Sequence, residues 1–195
     1  MKTAVLNVTP GKIVKYRGEP CLVLEHRTEG TLLLVLDQIK KSFGSSNNFA
    51  TSKLRDHLNG PYLDTLTGGN PDEVITRTVD LTALNGSKEY GTCECKIAPL
   101  TLDELRKFHG ILPLPECWEW SVTPWSTPCV DDDHTWVMGL STSGYVNGLN
   151  RCSNTHGSRP AFLIPSRITV EDESDPLGQY STNELIAEVN RRMNG

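Results

Sequence analysis

Long apolar runs and blocks of basic residues are missing from this chain, and no secretory-type leader is expected. No stretch approaches the roughly 18 consecutive apolar residues of a bilayer-spanning helix, and the short run Ala4-Val5-Leu6 has no cleavage-like continuation. The expectation is a protein soluble and cytoplasmic at synthesis, with no membrane partner; later incorporation into a virion stays open. The formal charge of −5 comes without a Lys/Arg cluster, which argues against a nucleic-acid phosphate backbone as partner. Apolar residues are scarce too, at 37% of 195 residues. Much of the chain is therefore expected in loops around one core.

Zinc-knuckle spacing is absent as well. Cys93 and Cys95 stand closer than a Cys-x-x-Cys pair, and no second pair follows. On a strand both point to one face, either as small core hydrophobes or as half of a metal site completed from elsewhere. Six cysteines without a leader are expected to be reduced thiols. No cofactor is expected.

The regular elements that remain are short. Residues 12–16, 21–24 and 31–36 alternate or run apolar around turns at Arg17-Gly18 and Glu29-Gly30, which predicts a β-meander. The last of these is apolar on both faces and reads as a central buried strand. Thr51 or Ser52 caps a short helix with Leu54 and Leu58 on one face, and Asn59-Gly60 is expected to end it. Residues 61–76 read as a loop with a helical turn at 71–75. Thr101 and Glu104 form a capping box in front of Leu102, Leu105 and Phe108. A tryptophan-rich strand at 118–125, a buried strand at 136–138 and a Gly/Asn/Ser/Thr-rich run at 141–155 precede a closing strand, Ala161-Phe162-Leu163-Ile164. The domain is expected to span 1–170. An acidic linker at 171–180 follows, then an amphipathic helix at 181–195 with Leu185, Ile186, Val189 and Met193 on one side. That helix is expected to need a partner surface, with the parent domain preferred over a neighbouring subunit or another protein.

Three features carry a resemblance. The first is Asn48, Phe49, Ser52, Leu54, Arg55, Leu58 and Asn59 at their spacing; the second is Leu100-Thr101 with Glu104. The third is the strand from Trp120 to Pro124 followed by Gly157-Ser158-Arg159-Pro160-Ala161. In these the chain resembles an uncharacterised domain family of bacteria and their prophages, over roughly residues 11–165. Val122 stands where that family has Arg, so no role of that Arg transfers. The Gly-x-Arg closure also looks like the ending of C-type-lectin-like domains, a group that includes formylglycine-generating enzymes and variable receptor-binding proteins of some phages. The resemblance implies an α+β, C-type-lectin-like fold: small twisted antiparallel sheets with two or three short helices and long loops.

The residues and the resemblance together give a non-catalytic phage or prophage module as the expectation, virion-associated as a head decoration or a tail or fibre protein. Its recognition surface is expected to include Tyr145, Asn147, Asn150, Arg151, Asn154, His156 and Trp125, residue types that adaptable paratopes use. The partner would be a virion or host protein, with carbohydrate as a second ligand class and a homo-oligomer allowed. Arg55, Arg159 and Trp120 are expected to be structural, Arg159 because a lone guanidinium beside a buried strand must be held by carbonyls or a carboxylate. Asp131, Asp132, Asp133 and His134 read as a solvated loop or as calcium ligands. The alternatives are an intracellular phage inhibitor that binds a host defence protein or small-molecule signal, and a formylglycine-generating-like enzyme using Cys129 and Cys152.

Overall fold

The computed structural model describes residues 2–132, 134–172, 186, 189 and 191–193. Four strands come first: β1 (Lys2–Ala4), β2 (Ile13–Tyr16), β3 (Glu19–His26) and β4 (Thr31–Val35). Arg17 and Gly18 turn β2 into β3 with φ of 51° and 91°, the backbone a two-residue hairpin needs. Arg17 donates to Glu73 at 2.9 and 2.7 Å from this unusual conformation. The apolar run of β4 is explained by its two faces. Leu33 and Val35 join one cluster with Val23 and Phe162, whereas Leu32 and Leu34 join another with Leu22, Leu24 and Leu163. The strand is thus covered on both sides.

The short β5 (Lys41–Ser42) leads to α1 (Lys53–His57), where the Ser52 hydroxyl accepts from the Arg55 N–H at 3.0 Å. Asn59-Gly60 does not end the helical path, contrary to the sequence expectation. The chain passes through a wider turn, with Gly60 out of helical geometry, into α2 (Leu63–Thr67), and stops at left-handed Gly68. The Asn59 side chain is engaged elsewhere: it donates to the carbonyls of Arg55 and Ile97 and accepts from the N–H groups of Lys96 and Ile97. A cap-like residue here ties a helix to a strand. The loop expected at 61–76 accordingly contains α2, and a short 3-10 turn at Pro71–Glu73.

Then come β6 (Arg77–Asp80), β7 (Thr92–Cys95), β8 (Ile97–Ala98) and α3 (Leu102–Phe108), whose capping box between Thr101 and Glu104 is formed in both directions. The last third supplies β9 (Glu119–Pro124), β10 (Trp136–Leu140), β11 (Val146–Arg151), β12 (Thr155–His156), β13 (Ala161–Ile164) and β14 (Thr169–Asp172).

The architecture is α+β, with antiparallel sheets and short helices. Its largest sheet has seven strands in the order β1-β14-β2-β3-β4-β13-β8, and the other sheets have two or three strands each, in line with the mostly small antiparallel sheets expected. β11-β10-β9 form a second sheet; β12 pairs β5, and β6 pairs β7. α3 covers one face of the large sheet through Leu105 and Phe108. The three-stranded sheet meets the other cluster through Trp120, Val122 and Val137. Strand β14 differs from expectation: Glu171 and Asp172, read as the start of a linker, pair with Lys15 and Val14 of β2. Residues 173–180 and the capping residues Ser181 and Glu184 lie outside the described residues. Of the expected apolar stripe, Leu185 lies outside the described residues, and Ile186, Val189 and Met193 are 53%, 55% and 79% exposed.

Candidate binding surface

The surface is carried by the β9–β10–β11 sheet and by the connections its ends hold. At the tip between β10 and β11, Ser141 organises a tight turn. Its hydroxyl accepts from the N–H groups of Ser143 and Tyr145 at 3.4 and 3.0 Å, and Gly144 takes the positive φ of 84°. Tyr145 leaves this turn 73% exposed. The run at 141–155 is therefore largely a strand and its hairpin, stabilised by pairing with β10.

Trp125 follows β9 and is 42% exposed. Its ring lies against Gly148 of β11: a β-carbon there would sit 2.3 Å from the ring and 2.9 Å from Met138 Sδ. The absence of a side chain at Gly148 thus gives the indole a flat, rigid support. Around it, Leu84, Asn85, Ser126, Val130 and Asp131 enclose a shallow cavity of about 410 Å³. Asn85 donates to Ser126 Oγ at 3.0 Å. Leu84 and Val130, at 39% and 62% exposure, extend the apolar part of the patch. Asn47 holds the connection behind it. It is fully buried, donates to the carbonyls of Ser126 and Trp136 at 2.8 and 3.0 Å, and accepts from Tyr90. Its sequence signal was weak: one asparagine in a run of Ser and Asn.

A second cavity, of about 520 Å³, lies beside α3. Leu105, Leu112, Leu140 and Val146 line it, and the exposed side chains of Arg106 and His109 stand at its rim. Pro113 and Leu114 close one side. Arg159 fixes this segment. Its Nη1 donates to the Pro113 carbonyl at 2.9 Å, while Nε and Nη2 form a two-pronged pair with Glu119 at 2.7 and 2.6 Å. Gln38 adds a donor to Glu119 and takes the N–H of Cys117. Both ions are almost fully buried, which is tolerable because their hydrogen-bonding capacity is used. Gly157 brings the closure this near: a β-carbon would lie 2.6 Å from Gln38 Nε2 and 2.9 Å from Cys117 Sγ.

The remaining expected residues are spread out. Asn147 is half-buried in β11, and the side chain of Asn150 lies outside the described residues. Arg151 is exposed, with its guanidinium 4.7 Å from the centre of the Trp136 ring, and Asn154 is exposed nearby in sequence. His156 is half-buried and its ring faces inward. Its ring meets the buried Trp120 edge-on at 4.6 Å, its Nε2 is buried without a hydrogen-bond partner, and burial pushes its pKa down. Trp120 is core, donating from Nε1 to the Lys41 carbonyl. Arg55 lies over β7, its Nε 3.3 Å from Cys93 Sγ and its Nη2 donating to the Glu94 carbonyl.

The sulfur and acidic candidates have dissimilar surroundings. Cys93 and Cys95 both enter the core, and burial, with Cys93 adding to it, pushes the Cys95 thiol up to about 12. Cys129 is exposed beside Ser87 and Thr127, whereas Cys152 is buried in the core; none of the six cysteines forms a disulfide. Asp131 and Asp132 are exposed, and Asp133 lies outside the described residues. Among the described residues no group of three or more His, Cys, Asp or Glu side chains is placed to hold a metal ion. Comparison of the chain with protein-family models, with curated proteins and with solved structures gives no match.

Proposed function

We propose that the protein is a non-catalytic binding module of C-type-lectin-like architecture, carried by a phage or prophage and attached to the virion. The observation that carries the reading is the pair of exposed aromatics on one strand framework. Tyr145 stands at a tip locked by Ser141, and Trp125 rests on the bare backbone of Gly148. Rigid aromatic rings flanked by short hydrogen-bonding side chains are what a recognition surface needs, because they offer area at a small conformational-entropy cost. The ligand is a protein of the virion or host cell, with carbohydrate as the second class. The phage setting and the C-type-lectin-like architecture rest on the resemblance carried by the Gly157-to-Ala161 closure and the two segments around Asn48–Asn59 and Leu100–Glu104.

Mass spectrometry of purified virions from the source phage or induced prophage tests this. The chain should be present at high copy, and particles carrying Trp125→Ala with Tyr145→Ala should adsorb to host cells at least about tenfold less, the size of a lost hot spot. Absence from virions, with abundant protein in producing cells, overturns the reading in favour of an intracellular inhibitor.

A further inference from the structure

We propose that the cavity beside α3 is a binding site for a small amphipathic anion, a carboxylate carried on an aliphatic or aromatic body. Its volume of about 520 Å³ lies in the range of small-molecule sites, which are mostly apolar with a few placed polar groups. Leu105, Leu112, Leu140 and Val146 supply the apolar lining. Among the described residues, Arg106 and His109 are the only ionisable groups that line it, and neither is acidic.

The walls are fixed by contacts made behind the lining. Arg159 holds the Pro113 carbonyl at 2.9 Å, and the N–H groups of Ile111 and Leu112 donate to the Phe108 carbonyl at 2.9 and 3.1 Å. The β10–β11 hairpin closes the far side, where a β-carbon on Gly144 would lie 3.3 Å from Leu114 Cδ2. A hollow formed in this way needs little ordering when a ligand enters. The polar end has donors to spare. Arg106 Nη1 donates to Asp103 at 2.7 Å, but both side chains are exposed, and such a pair is worth little. Among the described residues, Arg106 Nε and Nη2 and both ring nitrogens of His109 have no hydrogen-bond partner. Asp103 itself lies outside this lining, in the adjoining polar hollow with Asp80. A carboxylate head therefore meets open donors at the rim, in charge-assisted hydrogen bonds. Its apolar body covers Leu114 and Val146, otherwise open to solvent. A cationic head meets no carboxylate in the lining, and a neutral one gains no ionic contact. The site involves neither Trp125 nor Tyr145 and stands independently of the binding role proposed above.

Methyl-detected nuclear magnetic resonance on the full-length chain, titrated with sodium octanoate, reads the outcome. The methyl signals of Leu105, Leu112, Leu140 and Val146 should shift and saturate together. Octanol, the same apolar body without a charge, and octylammonium should each bind at least about tenfold more weakly. Arg106→Gln with His109→Gln alters two exposed side chains; it should weaken octanoate about tenfold and leave octanol unchanged, with the circular dichroism of the folded chain kept. Val146→Asp, at an exposed position in the mouth, should weaken octanoate and octanol alike. Octanoate that shifts none of these methyls overturns the proposal, as do shifts confined to the surroundings of Trp125. Octanol or octylammonium binding as tightly as octanoate, or full octanoate affinity in the double glutamine variant, overturns the choice of an anion.

Discussion

The pair Arg159–Glu119 shows how one residue sets the shape of a larger region. A buried ion pair is weak support for stability in itself, because two charges must leave water. Here the guanidinium also donates to Pro113, and Gln38 bridges Glu119 to Cys117, so three chain segments meet at one group. Removing one partner strands the other charge. Arg159→Leu should therefore cost about 3–5 kcal/mol in urea unfolding. The double change Arg159→Leu with Glu119→Leu should recover a good part of that loss, since no buried charge remains. A double variant as unstable as the sum of the two singles would show that the two residues act independently. The need to satisfy this arginine was legible from its place before Pro-Ala-Phe-Leu-Ile. Its partners were not, because Glu119 and Gln38 lie 40 and 121 residues earlier in the chain.

Elements with a local cause were read correctly and those with a distant cause were not. β4 follows from its unbroken apolar run, and α3 from Thr101 and Glu104. β11 is rich in Gly and Asn and exists through its pairing with β10; β14 ends in Glu171 and Asp172 and exists through β1 and β2. The exposure of Tyr145 and Trp125 was legible by residue type and setting. The cavity was not, since α3, the segment around 112–114 and two strands build it from separate parts of the sequence. Glu104 illustrates the overlap of local and distant roles. One carboxylate oxygen accepts from the Thr101 N–H at 3.0 Å; the other accepts from the buried Arg77 at 2.7 Å and pairs with Arg27. Thr101→Ala removes a cap alone and should cost about 1 kcal/mol. Glu104→Ala also strands Arg77 in the interior and should cost at least about 3 kcal/mol. Equal unfolding midpoints for the two variants, at equal denaturant dependence, would sink this account of α3.

At the scale of the whole molecule, the seven-stranded sheet is closed by strands from distant parts of the chain. β13 enters between β4 and β8, and β14 enters between β1 and β2. Neither insertion is complete until the last third has folded, so the core should unfold as one cooperative unit. Acid is the lever that reaches it. Burial pushes His156, and burial with the nearby Lys41 pushes His57, below the ordinary value of 6.5. A depressed imidazole pKa means that the unfolded chain binds protons first. The associated stability is fully present above pH 6.5 and is lost as pH falls through the folded-state values. Burial pushes the Glu25 carboxyl up, but hydrogen bonds from Lys107 and Arg27 outweigh it and leave the group below its ordinary 4.5, so its contribution disappears in a lower window. Thermal unfolding against pH should therefore show two successive losses on acidification, an upper one from the histidines and a lower one from the carboxylates. His156→Gln, which leaves no imidazole to charge against Trp120, should flatten the upper step whatever its effect on the melting temperature at neutral pH. If the variant loses stability below pH 6.5 as steeply as the unaltered chain does, the inward-facing imidazole is not what makes the fold sensitive to mild acid.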